Sequence, residues 1–376
     1  MNLSLALLGI LIVVVVLWEA FETIILPRQV TRRWRLTRLF YRSTWLLYSK
    51  LVRPLPKKTR ERLLSFYGPL SLILLLSVWA LGLVFGFALL HYIDGSITGT
   101  GDPLERLGLA LYFSGSTQFT LGLGDIAPHT PLSRMVTVAQ SFVGLGFLAI
   151  VVGYFPVLYQ AFSRREAQIT LLDARSGSPP SATELLRRVA GVHGHDELHE
   201  LLKDWERWSA ELLESHLSYP ALCFFRSQHD HESWLAALAT ILDTSALVLA
   251  GIDDTCEHQA QMTFAIARHA VVDLSQVLNQ APIFEGCKRL SSDDLQRLRS
   301  VLAEAGVQLH TGADVDSRVA ELTGMYEPYL HALSKLLLMP LPQWIRQGGP
   351  DNWQTSAWGR ITGAGKEKPS KIEQHL

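Results

Sequence analysis

Ser114 to Pro128 reads SGSTQFTLGLGDIAP, and the rest of the chain takes its meaning from this stretch. It lies between two long apolar segments, 67–92 and 130–163, each long enough to cross a hydrocarbon layer of about 30 Å at roughly 1.5 Å per helical residue. Just ahead of it, residues 103–119 form an amphipathic helix opened by Pro103, a favoured first-turn residue, and this helix is too short to span. The run Thr120-Leu121-Gly122-Leu123-Gly124-Asp125 follows. Gly122 and Gly124 occupy alternate positions, so the backbone can alternate between ordinary and left-handed conformations without a Cβ penalty. Irregular backbone at membrane depth is tolerated only where it is buried in protein or lines water. A short helix followed by irregular chain between two spans therefore reads as a re-entrant loop.

Two spans enclosing a short helix, a Thr-x-Gly-x-Gly-Asp run and a Pro resemble the pore loop of the potassium-channel family. The likeness rests on residues 120–125, on Tyr112-Phe113-Ser114, and on the apolar helix past Pro128, and it covers roughly Tyr67 to Arg165. It implies a selectivity filter over 120–125, in which the carbonyls of Thr120, Leu121, Gly122 and Leu123, with Gly124 completing the run, replace the hydration shell of potassium. Potassium is then the permeant ion, with no cofactor. The C-terminal end of the pore helix would turn its partial negative charge toward the conduction path.

The same resemblance implies that Asp125 ties the filter to its surroundings by hydrogen bonding, with Tyr112 and Ser116 behind it. Ser116 stands where some relatives place a Glu. Gly144 falls where relatives carry a bending glycine, and the inner helix near Val152, Pro156 and Tyr159 is expected to converge as a gate. Leu121 replaces the usual Val and Leu123 the usual Tyr, whose hydroxyl bonds to the pore helix in relatives. The cuff around the filter is therefore expected to be apolar, and the filter softer, with some sodium leak. One pore loop cannot close a ring of carbonyls, so a homotetramer is expected.

Residues 1–27 read as a first transmembrane helix that lacks the basic leader and small-residue cut of a cleaved signal. Glu19 and Glu22, three apart on one face, are placed at the inner interface, facing the Arg-rich segment or neighbouring helices. Residues 28–66 form a basic amphipathic segment in which Arg32, Arg33, Arg35, Arg38 and Arg42 alternate with Trp34, Leu36, Leu39, Phe40 and Trp45. Such a stripe suits a helix in the headgroup layer, with anionic lipid as its partner, and beside a span it reads as a membrane flank rather than a nucleic-acid patch. The positive-inside rule makes it cytoplasmic, leaving the N-terminus outside and the C-terminus inside, in the plasma (inner) membrane. Net charge is only -1, so this asymmetry, not the total, carries the information. Cys223, Cys256 and Cys287 are isolated, which suits a reduced cytoplasmic compartment.

Residues 164–345 show helical periodicity and little strand alternation, from a capping box at Ser181 and Glu184 to the Leu and Trp repeats after Leu198. The predicted class is an all-α membrane protein: three transmembrane helices, a re-entrant pore helix and filter, and an all-α cytoplasmic domain that assembles the subunits or answers an unknown regulator. Trp205 and Trp208 read as core. His195 and His199 lie four apart, and Cys256 and His258 are near neighbours, but no complete metal-ligand spacing appears. Residues 346–376 are expected to be disordered. No triad, phosphate loop or paired-carboxylate site points to catalysis. The alternatives are a weakly selective monovalent cation channel, or a membrane-anchored receptor or enzyme working through residues 180–345.

Overall fold

The computed structural model describes residues 2–26, 36–95, 102–190, 194–227, 232–252 and 256–346, and every regular element among them is a helix. The chain divides into two compact units, Met1–Ala161 and Phe162–Leu376. In the first lie α1 (Asn2–Ala20) with a π turn at Phe21–Ile25, α2 (Leu36–Val52), α3 (Lys57–Asp94) and α4 (Pro103–Gln118). Helix α5 (Pro131–Ser176) begins there and runs through the boundary. Three of these helices, α1 with its π turn, α3 and α5, are long and apolar enough to cross a membrane. The protein is an all-α membrane protein, as the residue pattern predicts.

Helices α1 and α3 meet where glycine removes side-chain bulk. A Cβ on Gly9 would lie 2.8 Å from the Gly86 carbonyl oxygen, and one on Gly86 would lie 2.8 Å from a Val13 methyl. The Gly82-x-x-x-Gly86 face thus lets two backbones approach, the usual way of gaining dispersion contact where lipid leaves no hydrophobic drive.

Two boundaries differ from the sequence expectation. Helix α3 starts at Lys57, so 57–66 are its first turns and not part of the amphipathic segment, and Pro69 is carried inside the helix. Helix α5 continues to Ser176 instead of ending near 163, because nothing breaks it before Gly177, whose φ of 81° is left-handed.

Glu19 has a defined partner. Its carboxylate accepts the backbone N–H groups of Leu36 and Thr37 (3.1 Å each) and the Thr37 hydroxyl (2.9 Å). A carboxylate from α1 therefore caps α2, placing negative charge at the positive helix end. Trp18 Nε1 donates to Glu22 at 2.7 Å. Helix α2 then packs on α3 through Trp45 and Tyr67, edge to face at 4.7 Å, and through Tyr48, whose hydroxyl donates to the Leu63 carbonyl at 2.8 Å. Arg42 is exposed beside Leu39, Leu46 and Leu47, and Arg38 is half-buried. Arg32, Arg33 and Arg35 lie outside the described residues.

The second unit is a helical bundle of α6 (Ala182–Val189), α7 (Gly194–Ser218), α8 (Trp234–Gly251), α9 (Glu257–Val277), α10 (Ser292–Glu304), α11 (Ala313–Gly324) and α12 (Glu327–Leu337). Helix α8 is apolar enough to pass as a further span, but it is buried by α6, α7, α9, α11 and α12, and burial on all sides explains its composition. Ser181 caps α6 by accepting the Glu184 N–H at 3.3 Å, whereas the Glu184 carboxylate turns to Arg187 and Arg188. Trp205 and Trp208 are buried, ring to ring at 4.6 Å, as core residues.

A polar cluster interrupts this core around Asp243. Arg289 donates to both oxygens of Asp243 at 2.9 and 2.6 Å, the Tyr326 hydroxyl donates to Asp243 at 2.7 Å, and Arg289 Nε lies 3.2 Å from Glu327. Burial pushes the Glu327 carboxyl up to about 7, against the opposing pull of Arg289. Among the described residues no group of three or more His, Cys, Asp or Glu side chains is placed to hold a metal. His193, His229, His231 and residues 347–376 lie outside them.

Candidate ion pathway

Helix α4 begins at Pro103 and at roughly 1.5 Å per residue is only about 24 Å long, too short to cross the bilayer. Its C-terminal end is not left open. The N–H groups of Phe119, Thr120 and Leu121 bond to the carbonyls of Gly115, Thr117 and Ser116 at 3.0, 3.2 and 2.8 Å. These bonds hand the chain from the helix into the 120–125 run.

Thr120, Gly122 and Gly124 have φ of 58°, 58° and 80°, while Leu121 and Leu123 are not among the positive-φ residues. The alternation is the one read from the glycine spacing, but it starts one step earlier, at a β-branched residue. A non-glycine left-handed conformation costs roughly 1–2 kcal/mol, and no sequence signal marks Thr120 as bearing it. Within the single chain no atom lies within 4 Å of a Cβ built on Gly122 or Gly124, so here it is the left-handed φ, and not crowding by this chain, that favours glycine. Alternation of backbone hand lets successive carbonyls face one side, the arrangement that can replace an ion's water. The Leu121 and Leu123 side chains are exposed.

Around this run the predicted supports take different parts. The Tyr112 hydroxyl donates to Asp125 Oδ2 at 2.9 Å. The surroundings of the run are thus not wholly apolar, which corrects the expectation drawn from Leu123: Tyr112, expected behind Asp125, supplies a hydroxyl from α4. Ser116 takes part through its backbone carbonyl, which holds Leu121. Asp94, at the end of α3, accepts the Thr130 hydroxyl at 2.7 Å, and Thr130 Oγ1 accepts the Ser133 N–H at the start of α5.

Gly144 faces the end of α4. A Cβ there would sit 2.4 Å from the Gln118 carbonyl oxygen, a close approach that requires glycine independently of any bending. Val152, Pro156 and Tyr159 lie further along α5, with Pro156 inside the helix and Val152 and Tyr159 exposed.

Sequence reading passed over a buried chain of polar side chains behind the run. His91 Nε2 lies 3.0 Å from Gln140 Oε1, Gln140 Nε2 donates to Ser114 O (2.9 Å) and Ser114 Oγ (2.7 Å), and Ser114 Oγ donates to Val84 O at 2.7 Å. The signal that could have found it is the amide of Gln140 amid apolar positions of a membrane helix.

Comparison with known proteins finds similarity in the same part of the chain. Residues 73–160 match the family model described as "Ion channel". Over 80 residues, 21% of this chain and 17% of that one, the protein is 34% identical to two pore potassium channel c of Oryza sativa subsp. japonica. It is 25% identical over 242 residues to the uncharacterized membrane protein YdjJ of Bacillus subtilis (strain 168), covering 63% of this chain and 69% of that one. No solved structure matches. Residues 73–160 are thus similar to an ion-channel domain, in a chain with three helices of the first unit long and apolar enough to span a membrane.

Proposed function

We propose that four copies of this chain form a passive, potassium-selective channel in the plasma (inner) membrane, with the carbonyls of residues 120–124 as its filter. The observation that carries the reading is the left-handed alternation at Thr120, Gly122 and Gly124, at the end of a non-spanning helix and inside the stretch that matches an ion-channel model. The rice relative's name supports potassium as the permeant ion.

Assembly is supported by α5. Met135, Val138, Phe142, Leu145, Val152 and Tyr159 are all more than half exposed in the single chain and recur at three- to four-residue and seven-residue steps. A stripe of that kind calls for cover by other copies and by lipid. In this reading α5 supplies the gate near Val152, Pro156 and Tyr159, the N-terminus is outside, and residues 164–345 assemble subunits or receive a cytoplasmic regulator. The basic α2 lies against anionic lipid. No catalysis enters.

A second reading, weak selectivity among monovalent cations, is favoured by Leu123, which has no hydroxyl to hold the ring. Purified full-length protein in liposomes separates the two: a reversal potential that follows the potassium gradient supports the first, and equal potassium and sodium permeability the second. Absence of flux at any voltage, pH or calcium level would favour a receptor or enzyme built on residues 180–345.

A further inference from the structure

We propose that Gln140 is a positioning residue for the filter, setting the register of α4 between α3 and α5. The inference rests on the pore reading above.

Gln140 is fully buried and uses its whole amide. Its nitrogen gives one hydrogen to the Ser114 carbonyl and one to the Ser114 hydroxyl. A carbonyl only accepts, so the amide cannot be turned over, and Oε1 must face the His91 ring. His91 Nε2 is then the donor, which fixes the tautomer. Ser114 passes its own hydrogen on to the Val84 carbonyl. Gln140 of α5 therefore binds α4 at Ser114 and α3 at His91, while Ser114 itself binds α3 at Val84, about two helical turns from His91.

One turn further along both helices the contact repeats in another form. Four residues separate Ser114 from Gln118 and Gln140 from Gly144, and Gly144 is where the Gln118 carbonyl comes within 2.4 Å of an ideal Cβ position. Sliding α4 along α5 would break the amide bonds and drive Gln118 into a side chain at once. The register set at Ser114 reaches the filter two residues later, where the Ser116 carbonyl holds the Leu121 N–H at 2.8 Å. Where side chains are buried, as Gln140, Ser114 and His91 are, an unmade hydrogen bond costs more than a made one gains, so this set of bonds favours one arrangement of α4. A carbonyl ring discriminates between ions through the number and spacing of its oxygens, so a displaced pore helix alters selectivity.

The test uses full-length protein in liposomes, reading the potassium-to-sodium permeability ratio and unit conductance, with particle size by gel filtration as the check on assembly. Gln140→Met keeps the length and loses every bond; it is expected to lower the ratio severalfold at wild-type particle size. Ser114→Ala keeps the carbonyl and should produce a smaller change in the same direction. His91→Gln retains a donor and should preserve the ratio that His91→Leu lowers. Assembled Gln140→Met and Ser114→Ala proteins with wild-type ratio and conductance would overturn the proposal. Should Gln140→Met not assemble, Ser114→Ala and the two His91 variants decide in the same way. A wild-type protein without cation flux would remove the pore reading and this inference with it, whereas wild-type flux with indifferent variants removes only the role of Gln140.

Discussion

The Tyr112 hydroxyl donates to Asp125 Oδ2 at 2.9 Å, so the third turn of α4 is tied to the residue that ends the glycine-spaced run. The bond joins two segments thirteen residues apart in sequence and restrains the C-terminal end of the run.

Removing that hydroxyl tests it. Tyr112→Phe should assemble normally and show a severalfold lower potassium-to-sodium permeability ratio, measured from reversal potentials under opposed gradients. An unchanged ratio would mean that Asp125 holds the loop by other means.

At Gly122 and Gly124 the requirement is conformational. Alanine at either position pays roughly 1–2 kcal/mol for its left-handed φ while meeting no neighbour, so flux should be lost with little change in particle size or melting temperature. Loss of assembly instead would point to a packing role that the open space around these residues does not suggest.

Gly144 should behave in the opposite manner. Its substitution by alanine pushes a methyl group against the Gln118 carbonyl and should destabilise the protein in detergent by about 1–3 kcal/mol, the usual range for overpacking. A variant with altered gating and wild-type thermal stability would make bending the stronger reason for the glycine.

In the helical unit, Arg289→Met leaves Asp243 buried without its guanidinium and should cost about 3–5 kcal/mol, read as a lower melting temperature. The double variant with Asp243→Leu should recover part of the loss, since it removes the stranded charge.

Glu327 makes stability depend on pH. Its folded-state value is raised from 4.5 to about 7, so the folded protein binds the proton more tightly than the unfolded chain. The stabilisation from this group is complete below about pH 4.5 and is lost as pH rises toward 7, by on the order of 3 kcal/mol at most. Thermal melts of the full chain across that window should show the decline in the wild type and a flatter profile in Glu327→Gln.

Much of the architecture was legible because the patterns that specify it are local. Uninterrupted apolar length marks α1, α3 and α5, a Pro at the first turn marks α4, and glycine at alternate positions marks the run after it. The helical unit declares itself by periodicity. What local pattern leaves open is the exact partner: Glu19 reads as an interfacial acid facing the Arg-rich segment or neighbouring helices until α2 is seen to begin on it, and Tyr112 reads as standing behind Asp125 until its hydroxyl is found within hydrogen-bond distance of that carboxylate. Thr120 gives no hint of its positive φ, since threonine ordinarily avoids it.

Residues alone indicate an all-helical membrane protein with a glycine-spaced run after a short helix, because hydrophobic length and the freedom of glycine are properties of single residues and their neighbours. Which side chains hold that loop was decided only in three dimensions. His91, Gln140 and Ser114 come from three helices, and a hydrogen bond depends on the meeting of atoms that sequence separation does not record.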